Sequence, residues 1–141
     1  MIKTVALTAA AALSMGLSAT AAFAGDAAAG ESAFRQCRSC HSITGADGST
    51  IQRGGRTGPN LFGLPGRAVA SDPDFRNYSD AILAYAASGA VWTEELFTEY
   101  MADPTAFLRH HTGDNSARSG MNFRLRSGAE DLWAYLQSVS Q

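Results

Sequence analysis

Lysine is almost missing from this sequence, with Lys3 the single one in 141 residues. Beyond residue 24, ten arginines face thirteen aspartates and glutamates, a formal charge of −3. A phosphate-binding surface needs a positive surplus, so nucleic acid is excluded as a main partner. The acidic residues form no run and read as an ordinary solvated surface. Cysteine is scarce too. Cys37 and Cys40 are the only two, and with no second pair a four-cysteine metal site is excluded. Past residue 24 no apolar run is long enough to span a membrane. Strand-type alternation is poor throughout and there are no internal repeats. What remains is helical patterning and one long stretch rich in glycine and proline.

The first 24 residues read as a secretory signal peptide. Lys3 supplies a positive start, Val5 to Leu17 an Ala/Leu-rich stretch, and Ala22-Phe23-Ala24 an A-x-A cleavage pattern before Gly25. An uncleaved anchor is the competing reading, since the stretch is near spanning length, but its alanines, threonines and serines make it weakly apolar. Cleavage leaves residues 25–141 as one domain, expected to be soluble and periplasmic. A domain of that size folds alone with only a moderate core, so a large group inside it would help.

The fold class expected is all-α, with four to five short helices and long loops. A first helix is predicted over about Ala28 to Arg38, with Asp26 as N-cap and Phe34 and Cys37 on one face. Residues 42–77 carry seven glycines and three prolines and read as a long irregular segment, acceptable in a compact domain if it wraps around something large and apolar. Ser79 caps a short helix over Asp80 to Ser88. Thr93 caps another, with Glu94 and Glu95 in the first turn, where negative charge suits the helix dipole. Asp103-Pro104 ends it, and Pro104 opens one more. Ser127-Gly128-Ala129-Glu130 matches a capping box ahead of a last helix striped by Leu132, Leu136 and Val139.

Cys37-Arg38-Ser39-Cys40-His41 is C-x-x-C-H, the spacing of a c-type haem attachment site. Two thiols must reach two vinyl-derived carbons on one porphyrin edge, and the next residue must place an imidazole under the iron. One helical turn supplies all three positions. A zinc site would need a fourth nitrogen or sulfur ligand, and a thioredoxin-like thiol pair would follow a strand. A structural disulfide would have no use for His41.

An iron that shuttles electrons needs a sixth ligand, and a Met/His pair raises its potential. Beyond residue 24 the methionines are Met101 and Met121. Met101 falls on an apolar helix face, where packing is the simpler role. Met121 sits in the polar loop Ser119-Gly120-Met121-Asn122, free to point inward, and is the favoured ligand. His110 and His111 are the alternative donors. Taken singly, Arg67 reads first as a solvated arginine, Trp92 as core and Tyr78 as a helix-entry residue.

From Gly30 and Phe34 through Cys37–His41, Arg56-Thr57-Gly58-Pro59-Asn60-Leu61-Phe62-Gly63-Leu64-Pro65-Gly66-Arg67, Tyr78-Ser79-Asp80-Ala81, Trp92-Thr93-Glu94-Glu95, Tyr100, Asp103-Pro104, Met121 and Asp131–Leu136, nearly all of residues 25–141 resembles the class I cytochromes c. The resemblance implies a cytochrome c fold around one covalent haem c. It implies that the Pro59 carbonyl accepts from His41 Nδ1. It further implies that Arg67, Tyr78 and Trp92 serve the haem propionates, that Tyr100 lies near the methionine sulfur, and that Gly30 and Phe34 cross Leu132 and Tyr135. The Arg109–Gly120 segment is longer than the family's usual approach to the axial methionine. The family's lysine ring is absent, with Arg38, Arg53, Arg56, Arg118, Arg124 and Arg126 as candidate substitutes.

The expected function is a monomeric electron carrier, not an enzyme. Its partners would be membrane-bound redox complexes, such as a cytochrome bc-type reductase and a terminal oxidase or photosynthetic reaction centre. The rivals are a dedicated cytochrome subunit of a periplasmic dehydrogenase and a ligand-binding haem protein with an open sixth site.

Overall fold

Asp26 sets the start of the first helix. Its carboxylate accepts from the backbone N–H groups of Ala28 and Ala29 and so caps α1, Ala27–Phe34. The computed structural model describes residues 25–141, and the signal-peptide reading of residues 1–24 lies outside the described residues. Four more helices follow: α2 (Asp80–Ala86), α3 (Glu94–Ala102), α4 (Pro104–Thr112) and α5 (Ala129–Val139). Ser79 and Thr93 cap α2 and α3 through their hydroxyls. Asp103, in extended conformation, closes α3, and its carboxylate caps α4 at Ala106 N, while Pro104 takes the first helical position.

Helices α1 and α5 form the principal crossing. A β-carbon on Gly30 would overlap the carbonyl of Asp131, so only glycine allows the two backbones to approach this closely. The Asp26 N–H also donates to the Asp131 carboxylate at 2.8 Å. Phe34 is fully buried beside Tyr135, their rings 6.1 Å apart. Leu132 and Leu136 are buried on the core face of α5.

Four expectations are corrected. First, α1 stops at Phe34 rather than Arg38, and the chain continues to His41 in turns, with Cys37 N–H donating to Phe34 O and His41 N–H to Cys37 O. Second, the Ser127 capping box does not form. Gly128 is the N-cap of α5, in left-handed conformation (φ +81°), with no side-chain cap. Third, the Arg109–Gly120 segment, expected as a long approach to the axial methionine, begins inside α4, which runs to Thr112 and includes His110 and His111. Fourth, residues 42–77 contain a small antiparallel ribbon, β1 (Ile43–Thr44) with β2 (Thr50–Gln52), pairing Ile43 with Gln52 and Thr44 with Thr50.

The rest of the long segment is held by polar clasps. Asn60 exchanges hydrogen bonds with the backbone of Thr44 and accepts from Phe62 N–H. Gly66–Val69 runs antiparallel to Ala90–Trp92 through three backbone hydrogen bonds, including Trp92 N–H to Arg67 O at 2.9 Å. That clasp sets Arg67 and Trp92 side by side.

Candidate functional site

The turns after α1 place Cys37, Cys40 and His41 on one wall of a cavity of about 320 Å³, which Tyr78, Tyr100 and Met121 also line. A smaller, mostly apolar chamber of about 80 Å³ shares Cys37, His41, Tyr78, Tyr100 and Met121 and adds Pro59, Arg67, Trp92, Leu61, Leu64, Phe97, Met101 and Leu132. All nine predicted site residues therefore border one continuous hollow. His110 and His111 do not line it.

Cys37 and Cys40 form no disulfide and sit in contrasting settings. Cys37 is buried, and that burial, helped by the charge of Cys40, pushes its pKa up to about 11. Cys40 is exposed, and hydrogen bonds from Thr57 and Ser39 lower its pKa. His41 Nδ1 lies 2.8 Å from the carbonyl oxygen of Pro59. Burial lowers the His41 pKa, and the Pro59 carbonyl opposes this in part. The imidazole is thus held neutral with Nε2 free, the form in which histidine ligates a metal.

Arg67 lines the inner chamber and is partly buried. Its terminal nitrogens donate to the carbonyls of Asn60 and Phe62 at 3.0 Å each. Its Nε–H is buried without a partner among the described residues. Burial pushes the guanidinium pKa down, and the nearby Tyr78 and Asp72 offset part of that. The Tyr78 hydroxyl accepts from Asp72 N–H at 3.0 Å, and the buried Asp72 carboxylate accepts from Asn60 N–H. Trp92 and Tyr100 meet edge to face at 5.2 Å.

Met121 is fixed by a residue that sequence reasoning missed. Buried Ser119 accepts from Met121 N–H at 3.0 Å and lies 3.1 Å from the Tyr100 hydroxyl. A serine two residues before its N–H partner is the spacing of a hydroxyl turn, a local signal that was available. Gly58 was also overlooked as a functional position: a β-carbon there would meet the His41 ring. Asn60 and Asp72, which anchor Arg67 and Tyr78, carry no comparable local signal.

The hollow thus offers two thiols, a neutral imidazole and a thioether. It also offers aromatic and aliphatic walls and an unused buried guanidinium donor. No family model matches the chain. Cytochrome c2 of Rhodobacter capsulatus is 49% identical over 135 residues, which cover 96% of this chain and 97% of that protein. Cytochrome c-551 of Roseobacter denitrificans is 51% identical over 129 residues, 91% of each chain. The solved structure of the Rhodobacter capsulatus cytochrome c2 matches with a TM-score of 0.79 over 83% of this chain and 100% of that one.

Proposed function

The chain belongs to the class I cytochromes c, among the cytochromes c2, and from that premise we propose that it carries single electrons between membrane-bound redox complexes as a soluble periplasmic protein. It is an electron carrier, not an enzyme, and its cofactor is covalent haem c. The observation that carries the finer reading is the single cavity bordered by Cys37, Cys40, His41 and Met121.

The residues present fit the cofactor. Cys37 and Cys40 would hold it as thioethers, and His41 and Met121 would supply the protein ligands to the iron. The orphaned Arg67 Nε–H, with Tyr78 and Trp92 beside it, suits a buried carboxylate, which is costly without such partners. When bound, haem c supplies a one-electron ferric/ferrous couple. The chain's own residues do the rest. Pro59 fixes the ring and tautomer of His41. Ser119 and Tyr100 hold the Met121 backbone. Leu61, Leu64, Phe97 and Leu132 exclude water. Exposed Cys40 marks where the cavity opens to a partner.

Partner docking follows from local charge rather than the net negative sum. Arg38, Arg53, Arg56, Arg118 and Arg126 are exposed and available to an acidic face. Arg124 is paired with Asp103 at 2.8 Å and contributes less. The donor and acceptor are a cytochrome bc-type reductase and a terminal oxidase or photosynthetic reaction centre, met through a small transient interface.

The test is a visible spectrum of the protein expressed with periplasmic haem attachment. Sharp low-spin reduced bands, a weak far-red methionine–iron(III) band and haem that survives acid-acetone extraction are expected. A high-spin spectrum without the far-red band would overturn Met121 as ligand. Electron-transfer rates to membranes that do not fall with added salt would overturn the arginine docking face.

A further inference from the structure

Where the last turns of α3 and α4 meet lies a cluster that electron transfer does not use. Glu99, His110 and His111 each bring one ligand atom to within 4.8 Å of the others. His111 Nε2 already lies 3.0 Å from a Glu99 carboxylate oxygen. Adjacent residues on a helix do not face one another. Yet the two imidazoles meet nearly perpendicular with ring centroids 5.0 Å apart, and Glu99 closes on them from the neighbouring helix.

The His111 ring is held in place. It packs on Phe107 at 4.1 Å and on Tyr85 at 5.3 Å. His110 is exposed and free to turn. A tetrahedral ion bonded at about 2.0–2.1 Å holds its ligand atoms roughly 3.3 Å apart. The set stands within 4.8 Å, somewhat wider than that spacing, and the exposed His110 and Glu99 are the members that would have to close in.

The geometry points to a surface site for a borderline divalent transition-metal ion of the zinc(II), copper(II) and nickel(II) class, held by Glu99, His110 and His111 and completed by water. Two imidazoles and one carboxylate select this class, because calcium and magnesium ask for oxygen-only sets. The C-terminal end of α4 adds a favourable field for a cation. The bound ion ties α3 to α4 across the Asp103–Pro104 corner. It sits behind Phe107, whose ring packs against both Trp92 and Tyr100 on the cavity wall.

The test titrates ferric holo-protein with zinc chloride by calorimetry, in a non-coordinating buffer near neutral pH. One zinc per chain is expected. His110→Gln, His111→Gln and Glu99→Gln should each weaken binding about tenfold or more. The zinc-induced rise in Tm should be lost in each variant. An unchanged haem spectrum shows that each variant is folded, and exposed His110→Gln decides the matter if His111→Gln is not. Copper(II) bound to the ferric protein should show hyperfine splitting from two imidazole nitrogens. Absence of stoichiometric zinc binding, or equal affinity in parent and His110→Gln, would overturn the site.

Discussion

The Nδ1 of His41 lies 2.8 Å from the carbonyl oxygen of Pro59, and Gly58 packs so closely beneath the same ring that a β-carbon there would come within 3 Å of three ring atoms. One side of the imidazole is set by a hydrogen bond and the other by the absence of a side chain. Gly58→Ala is therefore expected to displace the ring or the loop. Overpacking of this kind costs about 1–3 kcal/mol. Guanidinium denaturation of the holo-protein should show the loss, with a lower yield of haem-loaded protein. Unchanged stability would mean that the loop yields without cost.

Met121→Ala removes the thioether while leaving the hydrogen bond from its backbone N–H to Ser119 in place. The expected result is loss of the far-red band, rapid binding of carbon monoxide to the reduced protein and a lower reduction potential, since a methionine–histidine pair raises it. A variant that stayed low-spin and closed to carbon monoxide would assign the sixth position to another residue.

Ser119 separates support of the ligand loop from ligation itself. Ser119→Ala leaves both Met121 N–H and the buried Tyr100 hydroxyl without their partner. An unsatisfied buried polar group costs about 1–3 kcal/mol. Tyr100→Phe removes one end of the same pair and spares the Met121 contact, so it should cost less. Thermal unfolding of the two variants checks the order, and a reversed order would place the weight on Tyr100 alone.

Local signals were legible and distant ones were not. Asp26, Ser79 and Thr93 were readable as caps because each satisfies an N–H two or three residues away. Cys37, Cys40 and His41 were readable as a unit because a few consecutive turns carry all three. Ser127 matched a capping pattern, but Gly128 takes a left-handed conformation and becomes the cap itself. The β1–β2 ribbon has strands of two and three residues, too short for alternation to register. The end of α4 is polar because it faces solvent, so no apolar stripe marked how far the helix opened by Pro104 would run. Contacts such as Ser119 with Tyr100 or Glu99 with His111 join residues more than ten positions apart, and no periodicity reports them.

The α1–α5 crossing gives a sharper test of the fold. Gly30 touches the Asp131 backbone, which cannot swing aside as a side chain can. Gly30→Ala gains helix propensity of under about 1 kcal/mol, yet it forces two helices apart. A net loss of about 1–2 kcal/mol is expected in chemical denaturation. A stabilised variant would show that the crossing has slack.

Alkaline stability returns to the missing lysines. Residues 25–141 contain none, and cysteines bound as thioethers do not ionise, so tyrosines dominate titration near pH 10 and above. Burial raises the pKa of Tyr100, and the hydrogen bond from Ser119 offsets only part of that. A raised folded-state value means that the native protein keeps its proton longer than the unfolded chain. The stabilisation is fully present below the unfolded value of about 10 and drains away as pH rises from there toward the folded value. Tyr78, Tyr85 and Tyr135 are shifted the same way, each first by burial, but Tyr78 is only half-buried where Tyr100 is buried. Stability measured by denaturant between pH 9 and about 12 should therefore fall, and Tyr100→Phe should flatten the fall more than Tyr78→Phe. Equal slopes in parent and Tyr100→Phe would move the alkaline sensitivity away from the wall of the cavity.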